Sequence, residues 1–310
     1  MAVIEARGLG KSYGDRRAVD GLDFTVRPGS VTGFLGPNGS GKSTTMRLML
    51  GLDRGEGRTT FDGREFGALE HPMRHVGALL EAKPFHPTRK ARHHLRMLAV
   101  ANGIDQRRVE EVLDLVGLSS VATGRPRKFS LGMGQRLGLA AALLGDPHTL
   151  VLDEPSNGLD PQGITWLRTL LRSLAAEGRA VFVSSHLLQE MALLADELVV
   201  IGRGRMLANG PVADFVGAAR HSSVLVRTPD VAPLGRALDR AGATVTVDGD
   251  DLVVSGLDAE AVGDLAHAEG LRLHQLITRR ATLEEAFLEA TGLAEEYRGS
   301  TAPRDQEPTP

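Results

Sequence analysis

Cysteine is absent from the chain, so neither a disulfide nor a thiolate metal site is available to it. That fits a reducing interior. Long apolar runs are lacking too. No stretch approaches the ~18 uninterrupted apolar residues of a membrane span, and the longest candidate, Leu137 to Leu144, is bounded by Arg136 and Asp146. Glu5 and Arg7 interrupt the only apolar start, which does not have the pattern of a signal peptide. Action on a membrane is therefore expected to run through a partner. The chain also lacks the basic excess of a general nucleic-acid binder: 36 Lys and Arg against 39 Asp and Glu leave a formal charge of −3. Aromatics amount to 4%, with one Trp and two Tyr. What remains is ordinary for a globular protein: 310 residues, 42% hydrophobic and 24% charged, enough for one large domain or a medium one plus a small one.

The most informative stretch is Gly36-Pro37-Asn38-Gly39-Ser40-Gly41-Lys42-Ser43-Thr44. A buried-strand pattern, Val31 to Leu35, precedes it, and a helix-compatible stretch, Thr45 to Leu50, follows it. Strand, glycine-rich turn and helix start with G-x-x-x-x-G-K-S inside them form a P-loop in the context that confirms it. Glycines let successive N–H groups point at phosphate oxygens where side chains would block approach. The following helix adds its positive N-terminal end. Lys42 supplies a mobile positive charge for the β- and γ-phosphates, and the Ser43 hydroxyl is placed to ligate Mg²⁺. A nucleoside triphosphate is the expected ligand.

Other candidates carry a competing bland reading. Tyr13, in the polar stretch Lys11 to Asp15, reads as a loop residue that either stacks on an adenine ring or packs its own loop. Strands are expected over Val3 to Ala6, Leu22 to Val26 and near Thr60. A run from Arg74 to Glu81 reads as a strand delivering the Glu81 carboxylate to a strand end, where open α/β sheets place ligands, although a solvated loop acid has the same appearance. His86, His93 and His94 lie among Arg89, Lys90, Arg92 and Arg96, which would repel a metal cation, so the stretch reads as a solvated basic helix face.

Ser130, before Leu131-Gly132-Met133-Gly134-Gln135-Arg136 and a long apolar run, marks a second helix start able to face phosphate. Thr149 to Leu152 reads as a strand covered on both faces that ends in Asp153 and Glu154. Asp153 stands where a P-loop enzyme holds Mg²⁺, and Glu154 is placed to polarise a water for attack on the γ-phosphate. A plain acidic pair opening the turn at Pro155 is the competing reading. The tight loop Ser156 to Asp160 leads into a helix from about Pro161 to Ala176. Val181 to Ser185 gives another buried strand ending in His186, an imidazole able to serve a phosphate oxygen or a water, or simply a structural histidine.

Over residues 1–217 this set resembles the ATP-binding subunit of an ABC transporter, with six elements in the family's order. Tyr13 corresponds to the aromatic adenine platform, residues 36–44 to Walker A, and Glu81 to the Q-loop position. Ser130-Leu131-Gly132-Met133 corresponds to the signature, Asp153 and Glu154 to Walker B and the catalytic glutamate, and Asn157-Gly158-Leu159-Asp160 and His186 to the D-loop and H-loop. The resemblance implies an α/β P-loop ATPase with a helical subdomain over about 82–145, ATP and Mg²⁺ as ligands, and Lys42, Glu154 and His186 as catalytic groups. It adds Ser43, Asp153 and Glu81 as metal ligands. Two copies are implied to pair head to tail, so that Ser130 and Gly132 serve the partner's γ-phosphate, and Asp160 of the D-loop is implied to bind nucleotide. Glu81 replaces the usual glutamine, and Leu131 and Met133 make the signature less regular. The combination is most similar to bacitracin and lantibiotic-resistance exporters and to daunorubicin-type drug exporters. In those branches the ATPase docks on separate membrane permeases on the inner face of the cell membrane, here through about Phe85 to Leu98. An ATP-switched module acting on nucleic acid or ribosomes, or the ATPase of an importer, are the alternatives, the first disfavoured by the acidic balance.

Beyond Gly217 the pattern changes. A strand near Val224–Val226, a helix over Leu234–Ala241, strands over Thr244–Val247 and Leu252–Val254, a helix over Asp258–Ala268 and a strand over Leu271–Ile277 give β-α-β-β-α-β, the ferredoxin-like order, within an α+β accessory domain spanning 218–298. Thr282-Leu283-Glu284-Glu285 opens a final helix as a capping box. No nucleophile or glycine-rich phosphate loop occurs there, which leaves regulation, dimer support or a passive appendage. Residues 299–310, rich in Pro and polar groups, are expected to be disordered.

Overall fold

The computed structural model describes residues 3–80, 85–86, 88–218, 223–249 and 251–279. They belong to two compact units, divided between Val212 and Ala213.

In chain order the first unit contains β1 (Ile4–Tyr13), β2 (Arg16–Val26), β3 (Val31–Leu35), α1 (Lys42–Met49), β4 (Glu56–Phe61), the single turn α2 (Pro72–His75) and β5 (Val76–Leu79). Three longer helices follow, α3 (Ala91–Ala101), α4 (Arg107–Leu115) and α5 (Leu131–Leu143). The chain then returns through β6 (Thr149–Leu152), α6 (Pro161–Ala176), β7 (Ala180–Ser185), α7 (Leu188–Leu194), β8 (Glu197–Gly202) and β9 (Arg205–Pro211); α8 (Val212–Ala218) starts at the last residue of this unit and otherwise belongs to the second.

Two sheets result. One is antiparallel with order β2-β1-β4; the other has order β5-β6-β7-β3-β8-β9 and is parallel except for the edge strand β9. Every residue of β3, β6 and β7 is buried, as expected of strands covered on both faces. Phe24 of β2 stacks on Phe182 of β7 at 5.2 Å between ring centroids, and Phe34 of β3 lies 5.0 Å from Phe182. This aromatic cluster ties the two sheets together; removing one such buried ring costs about 3–5 kcal/mol.

The hairpin departs from the sequence reading. β1 runs to Tyr13, which pairs with Arg16, so Tyr13 is a strand-end residue rather than part of a loop. Register shifts after Ala6, Leu9 and Lys11, with Gly8 at φ 60°, break the alternation that reveals a strand. Arg74 and His75 belong to α2, started by Pro72, and not to the strand. β5 ends at Leu79, and Glu81 lies outside the described residues.

The helical layer packs through Ala91, Leu95 and Ala99 of α3 and Val109, Val112 and Leu113 of α4. Arg92 and Arg96 both reach Glu110, at 2.9 and 3.5 Å. Arg136 of α5 donates to the Val116 carbonyl at 3.1 Å and lies 4.3 Å from the Trp166 ring centroid. The expected solvated face is corrected at His94. His93 is exposed, but His94 falls on the packed side of α3 with Ala91 and Leu95, and its ring meets Phe85 edge-on at 6.1 Å.

The second unit contains β10 (Ser223–Arg227), α9 (Val231–Arg240), β11 (Thr244–Asp248), β12 (Asp251–Ser255), α10 (Ala259–Ala268) and β13 (Gln275–Arg279). Its strands are all antiparallel in the order β11-β12-β10-β13, around a core that includes Val224, Val226, Leu234, Leu238, Val254 and Val262. The last strand starts four residues later than its apolar run suggested, because Leu271 and Leu273 pack against the core before β-pairing begins. The helix expected from Thr282 and the tail 299–310 lie outside the described residues. Among the described residues, no helix is long and apolar enough to cross a membrane.

Burial, reinforced by the nearby Arg89 charge, pushes the His94 imidazole below its usual 6.5. The folded state therefore refuses a proton that the unfolded chain accepts below about pH 6.5, and stability present above that pH is lost on acidification. Urea denaturation at pH 7.5 and 5.5 should show a smaller loss for His94→Leu than for the parent; equal losses would refute this account.

Candidate active site

The turn after β3 has a steric reason for its glycines. A Cβ on Gly36 would lie 2.5 Å from the Ile201 carbonyl oxygen, and one on Gly41 would lie 2.5 Å from that of Ala18. Gly41 also holds φ at 110° where it caps α1. Gly39, at φ 78°, has open surroundings and needs only the backbone freedom. Ser40 is 3% exposed and its Oγ has no partner among the described residues. Lys42, buried at the start of α1, donates from Nζ to the Gly36 carbonyl at 2.6 Å and the Pro37 carbonyl at 3.3 Å.

These residues form one wall of a cleft of about 420 Å³, lined by Asn38, Gly39, Gly41, Lys42, Ser43 and Thr44 together with Tyr13, Arg16, Ala18 and Glu154. Tyr13 keeps 52% of its surface exposed there. Its hydroxyl donates to Asp53 at 3.1 Å, and Lys11 Nζ lies 5.1 Å from the ring centroid. Hydrogen bonds from Arg47 in the first place, then from Tyr13, hold the Asp53 carboxyl below the usual carboxylate range, which keeps it an acceptor for the phenol.

The acids at the end of β6 are held from several sides. Asp153 N donates to Leu79 O at 2.7 Å, and its carboxylate accepts from Ser184 Oγ at 2.5 Å. The same Ser184 hydroxyl accepts from Glu154 N at 2.8 Å, while Gln135 Nε2 donates to Glu154 O at 3.1 Å. Glu154 takes φ 48°, the left-handed region. Such a backbone costs a non-glycine residue ~1–3 kcal/mol. Two hydrogen bonds at ~1 kcal/mol each are of the size needed to hold it. The side chain is equally engaged: His186 Nδ1 lies 2.8 Å from Oε2, and Lys42 Nζ 3.5 Å from Oε1.

Tyr13, the turn 36–44 and Glu154 are thus gathered at one cleft, with His186 joined to it through Glu154 and Asp153 through Ser184. Ser130, Gly132 and Asp160 do not line it. Ser130 caps α5, its Oγ accepting from Met133 N at 3.1 Å, and Asp160 caps α6, accepting from Gly163 N at 2.8 Å. A Cβ on Gly132 would lie 2.8 Å from the Gly158 carbonyl, and Leu131 fills the space beside Gly158. The irregular signature residue Leu131 therefore packs the start of α5 against the loop before α6. Three residues at the site escape the sequence reading, Arg16, Ser184 and Gln135. For Ser184 a signal existed: a polar residue in a fully buried strand requires a partner.

Fold and cleft define a P-loop nucleoside-triphosphatase domain. A family model described as "ABC transporter" matches residues 19–157, and one described as a domain of unknown function matches residues 222–284. The chain is 34% identical over 298 residues to an uncharacterized ABC transporter ATP-binding protein of Bacillus subtilis (strain 168), covering 95% of this chain and 97% of that one. It is 41% identical over 213 residues to a bacitracin transport ATP-binding protein of Bacillus licheniformis, covering 67% and 70%. To a daunorubicin resistance ATP-binding protein of Streptomyces coeruleorubidus it is 33% identical over 302 residues, covering 93% and 96%. A solved ATP-binding subunit of an ABC transporter superposes with a TM-score of 0.64 at 26% identity, covering 70% of this chain and 92% of that one. The chain belongs to the ATP-binding proteins of ABC transporters, and it is an ATP hydrolase of that class.

The two kinds of glycine predict different outcomes. Gly41→Ala meets both the Ala18 carbonyl and an unfavourable φ, so it should abolish binding of a fluorescent ATP analogue and lower the melting temperature. Gly39→Ala, with its nearest atom 3.9 Å away, should cost far less on both measures; equal effects would contradict the steric account.

Proposed function

We propose that this chain powers export of an antibiotic or related amphipathic compound through a separately encoded membrane permease, as a homodimer that closes on ATP. The observation that carries the exporter reading is near-full-length similarity to a daunorubicin resistance ATP-binding protein, with bacitracin transport represented among the relatives of residues in the ATPase domain.

The cleft suits a triphosphate on its own terms. It offers a turn with no room for side chains at Gly36 and Gly41, a buried Ser40 hydroxyl without a partner among the described residues, and a lysine whose present acceptors are neutral carbonyls and one carboxylate. The amides of residues 36–44 and the Lys42 ammonium bind the phosphates, and Tyr13 stacks on the adenine. Ser43 and Asp153 offer the hard oxygen donors that Mg²⁺ prefers, with Glu81 assigned beside them from sequence alone. When bound, Mg²⁺ neutralises charge on the phosphate oxygens. Glu154 polarises the attacking water, and His186, in contact with its carboxylate, orients it. Ser130 and Gly132, which do not line their own cleft, serve the γ-phosphate of the partner copy's nucleotide, and Asp160 binds nucleotide as part of the D-loop. Phe85 to Leu98, which includes most of α3, meets the permease on the inner face of the membrane. The second unit, whose β-α-β-β-α-β order supports a ferredoxin-like fold, acts as an accessory domain in regulation or dimer support.

Light scattering on the full-length Glu154→Gln chain tests the shared site. Mg-ATP should convert monomer to dimer, and Ser130→Arg in the same background should prevent it. Unchanged mass at saturating ATP would reject the head-to-tail pairing in the isolated subunit. Lys42→Ala and Glu154→Gln should each lower ATP turnover by roughly 100-fold or more; parental turnover in either would remove that residue from the mechanism.

A further inference from the structure

We propose that Gln135 is a positioning residue: its amide ties the signature helix α5 to the backbone of Glu154, so that the seating of the helix start sets where the Glu154 carboxylate points. The proposal rests on the reading of Glu154 as the water-polarising group.

Gln135 lies five residues after the Ser130 cap, on the buried side of α5, and is 3% exposed. From there Nε2 crosses to Glu154 O at 3.1 Å. Its Oε1 is buried without a partner among the described residues. A half-satisfied buried amide is a poor choice for packing, since Gly138, Leu139 and Ala142, which helical spacing places on the same side of α5, are buried and apolar. The hydrogen bond to Glu154 is what the amide gains there. The acceptor is also special. Glu154 precedes Pro155, so the peptide joining them has no N–H, and its carbonyl is the one polar atom by which it can be held; it accepts at 3.1 Å both from Asn157 N within the following turn and from Gln135, the one donor that comes from α5. On the other side of the residue, Glu154 N is held by Ser184, the residue that also holds Asp153.

Glu154 is therefore clamped at a left-handed φ between two elements of different origin. Ser184 belongs to β7 in the rigid parallel sheet. Gln135 belongs to α5, whose first turn is seated against Gly158 and carries Ser130 at its exposed end. A displacement of α5 when its start engages a neighbouring nucleotide reaches Glu154 directly through this amide, and indirectly through the packing of Leu131 on Gly158 in the loop that follows Glu154. A small displacement matters, because misplacing a reacting group by about 1 Å can cost ~100-fold in rate.

The test compares Gln135→Met, which keeps the shape without the donor, with Gln135→Asn, which keeps the amide but falls short of the carbonyl. In the full chain both should lower kcat for ATP by ~10- to 100-fold, with KM within about threefold of the parent. The melting temperature of Gln135→Met should not fall, because an unpaired buried oxygen is removed along with the donor. In the Glu154→Gln background, Gln135→Met should still dimerise with Mg-ATP. Parental kcat in both variants would overturn the proposal, as would losses of KM, dimerisation and melting temperature that accompany the loss of kcat. Parental turnover by Glu154→Gln alone would instead overturn the assignment of Glu154 on which the proposal stands.

Discussion

Parallel pairing sets Leu35 beside Ser185 and Leu152 beside Val183, so β3, β7 and β6 end side by side at one edge of the sheet. The glycine turn, His186 and the acid pair each leave from one of those ends. None of the three segments could assemble the cleft alone, because the turn holds no acid and the acids hold no cation. What keeps the strand ends in place is apolar: three strands buried on both faces and a Phe24–Phe34–Phe182 cluster that fastens the antiparallel sheet to them. The antiparallel sheet then contributes Tyr13 and Arg16 from its hairpin.

Much of this was legible in the residues. The P-loop could be read because its spacing encodes its own geometry, and β3, β6 and β7 because continuous apolar runs mark strands covered on both faces. The limits of α6 agreed with expectation to the residue, since Asp160 caps it and Pro161 starts it. The hairpin was harder. Three register shifts hide the alternation of β1, and nothing local reveals that Tyr13 pairs with Arg16. His94 was misread because three histidines among arginines suggest a wet face, whereas which of them turns inward depends on helix phase against α4 and α5. Ser184 is legible as a polar residue in an apolar strand, but the bond that Gln135 makes is to a backbone group of Glu154, which no side-chain pattern can announce.

The charges at the cleft satisfy one another. Lys42 rests on two carbonyls and within 3.5 Å of Glu154, whose other oxygen is taken by His186. A buried cation and a half-buried carboxylate that face each other avoid the heavier penalty of standing alone. In the proposed mechanism a phosphate at the turn competes with Glu154 for this ammonium group, while His186 keeps its contact with the other carboxylate oxygen.

The one tryptophan in the chain, Trp166, has a guanidinium over its ring, that of Arg136, the residue next to Gln135. Indole emission responds to the charge and distance of such a neighbour, so the protein carries its own optical gauge of how α5 lies against α6. Because no second tryptophan contributes background, a change in indole emission from unlabelled protein reports on the surroundings of Trp166, of which this guanidinium is a part.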